Sequence, residues 1–288
     1  MLNDTPSLEG CEAKFGRGKA HAKRLRKEVV AAMDGYTYPV RVERDEDARK
    51  YTFYVKDIPA TSGDWGLTFG DAVHNLRATL DHLVIQLAIL GQGRALTESE
   101  IRGSEFPVLY DPSRWEKVTG PNAVRLLRSG ERERIRDLQP FNATERSIWG
   151  RQALVGRGAR IPRLIEALHR ADIADKHRFV HPSWYAVKSL DLPPFGLTGM
   201  VAMTSGQRLE PDAELGRWSF PNGLPDLPPD LNISRYFPLG IEFAEGTYGY
   251  LMVTFLDEVE GMIEGLIELF RPALTNGDPA PQVTSIPL

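Results

Sequence analysis

The sequence predicts an α+β protein with a helical core and an antiparallel β-sheet formed mainly by the C-terminal half. Segments with the 3.6-residue hydrophobic period of amphipathic helices cluster before residue 175. A region rich in Pro and Gly, with several short strand-like segments, occupies residues 179–243. A run of helices followed by a run of strands is typical of the α+β class.

The first elements are predicted to be a helix, a hairpin and a long central helix. Residues 1–13 are expected to be a loose terminus, and an amphipathic helix with a basic side follows over residues 14–33. Its apolar side is expected to consist of Ala20, Leu25, Val29, Val30 and Met33. A β-hairpin is predicted at 36–56, because Tyr51, Phe53 and Val55 alternate with polar residues in its second strand. The central helix is predicted over residues 68–90 and ends at Gly91-Gln92-Gly93.

The remaining elements complete one helical region and one β-rich region. Further helices are predicted over residues 121–129, 131–138, 144–155, 161–174 and 248–270. The last of these carries Leu251, Phe255, Val259, Met262, Leu266 and Phe270 on one stripe, and Arg271-Pro272 is expected to end it. We therefore divide the chain into a mainly helical region, 14–178, and a segment, 179–288, whose strands and C-terminal helix pack on the same core. Residues 275–288 are expected to form a second loose terminus.

Composition excludes several classes of protein. With 288 residues, 42% of them hydrophobic and 26% charged, the chain has the make-up of an ordinary globular protein. The net charge of −4 gives no overall attraction for nucleic acid, so an RNA partner would need a local basic patch. The single cysteine excludes an intramolecular disulfide. Neither a secretory signal nor an apolar run of membrane-spanning length is present, so a cytoplasmic protein without membrane contact is expected.

The central helix concentrates ionisable residues on one side. At 100° per residue, His74, Arg77 and Asp81 fall along one edge of this side and His82 falls along the other. The opposite face is expected to be core and consists of Val73, Leu76, Leu80, Leu83, Val84 and Leu87. Because an unpaired buried charge is very costly, these polar groups need partners. They are interpreted either as an ion-pair network that orients packed helices or as a site at the covering interface.

A second polar cluster, Asp175-Lys176-His177-Arg178, ends a predicted helix. Its cations would be favoured there by the helix dipole alone. If the two clusters meet, imidazole and guanidinium groups share one cavity and are suited to phosphodiester chemistry. The groups brought together in that case would be those of His74, His82, His177, Arg77 and Arg178, with the carboxylates Asp81 and Asp175.

The two clusters resemble sequence patterns found elsewhere. The helix Gly70–His82, followed by Phe106-Pro107, Gln139-Pro140 and Asp175–Arg178, resembles a group of uncharacterised bacterial proteins over residues 15–180. Arg77 and His82, with four residues between them, are also similar to the hallmark of the HEPN superfamily, helical domains of which many are metal-independent ribonucleases. That hallmark allows four to six intervening residues, so it also fits Arg163…His169, with five, and Arg170…His177, with six.

The likeness to the HEPN superfamily implies a helical bundle that acts on RNA at a homodimer interface formed by the central helix. It implies that His82 is the general base for a ribose 2′-hydroxyl and that Arg77 holds the scissile phosphate. We add His177 and Arg178 as acid and anion clamp.

Two other interpretations remain open. The chain could be a non-catalytic scaffold or binding module in which the polar cluster only fixes packing. A zinc or iron site could be assembled from His74, Asp81, His82, Asp175 and His177, but their spacing matches no recognised ligand motif. No metal or cofactor is therefore expected. His21 and His169 are both expected on solvated helix surfaces.

Overall fold

The computed structural model describes residues 5–33, 37–58, 60–102, 104–115, 123–143, 160–177, 182–186, 200–203, 209–228, 239–243 and 252–278. Its helices are α1 (Glu9–Met33), α2 (Gly63–Gln92), α3 (Glu98–Ile101), α4 (Ser129–Asp137), α5 (Arg160–His177) and α6 (Met252–Asn276). Its strands are β1 (Val40–Asp45), β2 (Lys50–Val55), β3 (Pro182–Ala186), β4 (Met200–Met203), β5 (Glu214–Ser219) and β6 (Leu239–Phe243). The α+β class is confirmed. The helix expected over residues 144–155 lies outside the described residues.

The strands form two antiparallel sheets rather than one. The order in the larger sheet is β1-β2-β5-β4, so the hairpin joins later strands, whereas β3 and β6 pair with each other. Tyr51, Phe53 and Val55 form the buried face of β2, as their alternation predicted. Phe53 packs on Trp218 of β5 with ring centroids 4.6 Å apart. This aromatic contact fixes the N-terminal hairpin to the C-terminal half of the chain.

Helix α1 packs antiparallel along α2, and its apolar face matches the predicted one only at Leu25 and Val29. The residues of α1 that are buried are Cys11, Phe15, Gly18, Ala22, Leu25 and Val29, whereas Ala20 is exposed and Val30 is 61% exposed. Gly18 lies so close to α2 that a Cβ there would be 2.8 Å from Leu76 Cγ. The expectation of a loose terminus is wrong for residues 9–13, because the buried stripe of α1 begins at Cys11. Small residues decide this face, and hydrophobicity alone does not identify them.

Helix α2 begins five residues earlier than predicted. Ser62 caps it by accepting a hydrogen bond from the Asp64 amide, which brings Trp65 and Phe69 into the core. It ends where expected, since Gly93 takes a left-handed conformation (φ 62°) and donates to Ile89 O. The predicted inner face of α2, from Val73 to Leu87, is buried throughout.

Helix α6 confirms the predicted stripe but not the predicted end. Phe255, Val259, Met262, Leu266 and Phe270 are all buried, while Leu251 lies outside the described residues. The helix continues through Pro272 to Asn276. Proline removes a hydrogen bond and crowds the carbonyl one turn before it. The burial of Ala273 and Leu274 beyond the proline offsets this cost.

One hydrophobic core contains buried residues from α1, α2, α5, α6 and both sheets. Among the helices of the described residues, none combines the length and the apolar character needed to cross a bilayer.

Candidate functional site

The polar side of α2 is covered by two different neighbours. One edge of this side consists of Gly70, His74, Arg77 and Asp81, and it is covered by Asp172 and Asp175 of α5 and by Phe106. His82 instead lies against α1, where a Cβ on Gly10 would be 3.0 Å from His82 Nδ1. The structure therefore separates His82 from Arg77, and the two residues contact different elements.

Arg77 and Asp81 hold the segment that follows α3. Arg77 Nη2 donates to the carbonyl oxygen of Phe106 at 2.6 Å, and the Phe106 amide donates to Asp81 Oδ1 at 2.8 Å. Arg77 Nη1 lies 3.1 Å from the same Asp81 oxygen. The guanidinium also lies over the Phe106 ring, 5.9 Å from its centroid. Arg77 is only 4% exposed, so this cluster has the geometry of a structural clamp.

His74 and Lys176 share a buried carboxylate. His74 Nδ1 lies 3.2 Å from Asp172 Oδ1, and Lys176 Nζ donates to Asp172 Oδ2 at 2.7 Å. The Asp172 side chain is 3% exposed, while those of His74 and Lys176 are 53% and 51% exposed. A carboxylate that fixes one ring nitrogen orients the imidazole, as in general-base pairs. His74 is thus both oriented and accessible, which makes it the candidate proton acceptor of this surface.

The end of α5 fits against a glycine of α2. A Cβ on Gly70 would lie 1.9 Å from Asp175 Oδ1, so only glycine allows this approach without rearrangement. Burial raises the pKa of Asp175 above its ordinary value, and the nearby charges of Asp172 and Asp71 act in the same direction. Gly70 and Asp175 belong to the two sequence clusters, and this contact brings those clusters together.

The environment of His82 is that of a packed histidine. Burial lowers its pKa, and the charge of Lys14 on α1 acts in the same direction. On the same interface His21 Nδ1 lies 3.8 Å from Asp71 Oδ2, so His21 faces α2. The expectation of a solvated His21 is met only in part, because its side chain is 27% exposed and faces α2.

Sequence reasoning missed two residues of this site. His169, expected on a solvated surface, is partly buried, and no described residue forms a hydrogen bond with its Nδ1 atom. Burial lowers its pKa, and after burial the largest cause is the charge of Arg77. Asp172 was missed as well. The spacing of His169, Asp172 and Lys176 puts all three on one side of α5, a signal available in the sequence.

The other predicted site residues are placed only in part. His177 is the last residue of α5, and its side chain lies outside the described part of the structure, as does Arg178. Their roles as acid and anion clamp stay predictions. Asp81 has its pKa raised by burial, although Arg77 and the Phe106 amide oppose the shift. Within the described residues, no group of three or more His, Cys, Asp or Glu side chains could hold a metal ion.

Comparisons with protein-family models, with curated proteins and with solved structures found no match to this chain.

Proposed function

We propose that this protein is a non-catalytic helical binding module in which the polar cluster of α2 fixes the packing of its neighbours. The observation that carries the proposal is the burial of Arg77, whose guanidinium is bonded to Phe106 and paired with Asp81. A guanidinium committed in this way has little capacity to hold a scissile phosphate. His82, the proposed general base, packs against α1 instead of facing Arg77.

The charges around the cluster support the same proposal. The carboxylates that act electrostatically on this region are Asp71, Asp81, Glu105, Asp172 and Asp175. The Arg and Lys side chains that act on the same groups are Arg77 and Lys176. An excess of carboxylates disfavours a phosphate-rich partner, because binding to RNA depends on cations that neutralise phosphates.

A second candidate is a metal-independent endoribonuclease that works as a homodimer through α2. The observation favouring it is the half-exposed His74, an imidazole that Asp172 orients and solvent reaches. The exposed surface of α2 available to a second copy includes Leu67, which is 56% exposed, and His74 itself. For both candidates we propose the cytoplasm, since a reducing compartment suits the buried free thiol of Cys11.

One experiment separates the two candidates. Purified wild-type protein, Arg77→Ala and His82→Ala are incubated with mixed RNA in the absence of divalent metal, and urea unfolding is measured on the same samples. We expect no cleavage by any of them. We also expect Arg77→Ala to lose about 3–5 kcal/mol of stability, because Asp81 would be left without its buried partner. The control is Arg24→Ala, which breaks an exposed pair with Glu28 and should leave the unfolding midpoint close to that of the wild type.

The ribonuclease candidate predicts a different pattern. Wild-type protein would cleave RNA. Arg77→Ala, His82→Ala and a third variant, His74→Ala, would abolish cleavage while unfolding at the same urea concentration as the wild type. Light scattering at micromolar concentration would then find a dimer, and Leu67→Glu should dissociate it. That combination would overturn the proposal of a binding module.

A further inference from the structure

The contacts between α2 and α5 follow one antiparallel register. Gly70 lies against Asp175, and His74 lies 3.2 Å from Asp172. One turn further along α2 and one turn back along α5, the same register puts Arg77 opposite His169. Charge coupling between the two residues agrees with this arrangement. The interface therefore aligns three successive residue pairs along the two helices.

The Arg77–His169 pair differs from the other two. Arg77 Nη1, despite its ion pair with Asp81, and His169 Nδ1 are buried nitrogen atoms that form no hydrogen bond with any described residue. Arg77 carries a permanent charge, so the interface is favourable only while the imidazole opposite it is neutral. A buried group left without a hydrogen bond calls for an explanation beyond packing.

We propose that His169 is a pH-sensitive latch, and that its protonation opposite Arg77 releases α5 from α2. This goes beyond the proposed function, because it assigns a regulated conformational change to the fold. It does not depend on whether the chain cleaves RNA.

The groups that face His169 determine the direction of the response. Arg77 on α2 and Lys176 on α5 oppose its protonation, whereas Asp172 on α5 and Glu105 before Phe106 favour it. The two oxygens of Asp172 already contact His74 and Lys176, and Glu105 is exposed. Burial and Arg77 therefore prevail, and the pKa of His169 lies below its ordinary value. The latch is closed at neutral pH and opens as the pH falls below about 6.5, where an unperturbed histidine takes up its proton.

Hydrogen exchange of the full chain tests this proposal. Amide exchange of α5 is measured at pH 7.5 and pH 5.5, after correction for the intrinsic pH dependence of exchange. We expect the corrected opening equilibrium of α5 in the wild type to increase about tenfold, whereas that of α6 changes little. In His169→Asn, which keeps a neutral polar group, the increase should disappear. The matched control is His82→Asn, because His82 is also a packed histidine with a lowered pKa but contacts α1.

The outcomes are distinct. An equal increase in His169→Asn and wild type, or loss of the increase in His82→Asn alone, would overturn the latch. A second measurement uses the wild type only, in case His169→Asn does not fold. NMR titration of the imidazole should give His169 an apparent pKa below 6.5, with α5 amide signals changing at the same midpoint. A midpoint at or above 6.5, or α5 signals independent of it, contradicts the proposal.

Discussion

Substitution of Gly70 by alanine tests the docking of α5 on α2 directly. Alanine in a helix interior is favoured over glycine by about 0.8–1.0 kcal/mol. The new Cβ would, however, lie 1.9 Å from Asp175 Oδ1 and 2.4 Å from Asp175 Cγ, so the carboxylate must move. Overpacking of this kind costs about 1–3 kcal/mol. We therefore expect Gly70→Ala to destabilise the protein by roughly 0–2 kcal/mol, the difference of these two contributions.

A double-mutant cycle isolates the contact. Asp175→Ala removes all three atoms that the new Cβ would meet, so in that background Gly70→Ala should stabilise the protein by about 1 kcal/mol. The coupling between the two positions is then about 1–3 kcal/mol, measured by urea unfolding of the four proteins. Gly16→Ala is the matched control, because Gly16 lies in α1 and a Cβ there would have nothing within 4 Å. Gly16→Ala should stabilise in both backgrounds. A coupling energy near zero between positions 70 and 175 would refute the packing described for this interface.

Three further predictions concern stability and reactivity. Asp172→Asn should cost about 1–3 kcal/mol in urea unfolding, because a buried carboxylate that binds His74 and Lys176 loses its charge; a change below about 0.5 kcal/mol would contradict this. The pKa of His82 is lower in the folded protein than its ordinary value of 6.5, so the unfolded chain binds the proton first. The free energy of unfolding should therefore fall as the pH drops below about 6.5. In His82→Asn, the curve of unfolding free energy against pH should be flatter between pH 7.5 and 5.5. An unchanged slope would contradict the lowered pKa of His82. Cys11 is fully buried, and burial raises its pKa to about 12. A thiol reagent at pH 8 should therefore modify Cys11 only after denaturation. Rapid labelling of the native protein would contradict this burial.

The hydrophobic periodicity of the sequence correctly predicted the buried face of a helix where that face is wide and strongly apolar. The inner face of α2 and the stripe of α6 are buried as expected, because on each helix this wide apolar side is the one that must face the core. The face of α1 was predicted only in part: Leu25 and Val29 are buried as expected. Gly18 and Ala22 were missed because they are not strongly hydrophobic and yet allow close approach to α2. The continuation of α6 past Pro272 depends on tertiary burial that no local signal contains.

The candidate site was predictable to the same limited degree. The sequence placed His74, Arg77 and Asp81 on one edge of α2, and the structure has them there with partners from α5 and the segment after α3. It could not indicate that His169 and Asp172 supply the opposite side, because their burial depends on how α5 lies across α2. Helical spacing alone gives the face of each residue but not the neighbour that covers it.

The pairing of α2 with its two neighbours has a consequence for the order of folding. Gly10 lies against His82 and Gly18 against Leu76, so α1 and α2 close a loop of moderate length. His74 and Asp172, by contrast, are 98 residues apart in the chain, and closing this longer connection costs somewhat more entropy, about 0.6 kcal/mol for each doubling of its length. The α1–α2 contact is therefore expected to form in the folding transition state, and α5 is expected to dock afterwards. φ-values near zero at Leu25 of α1 together with high φ-values at Leu168 of α5 would show that the order is the reverse.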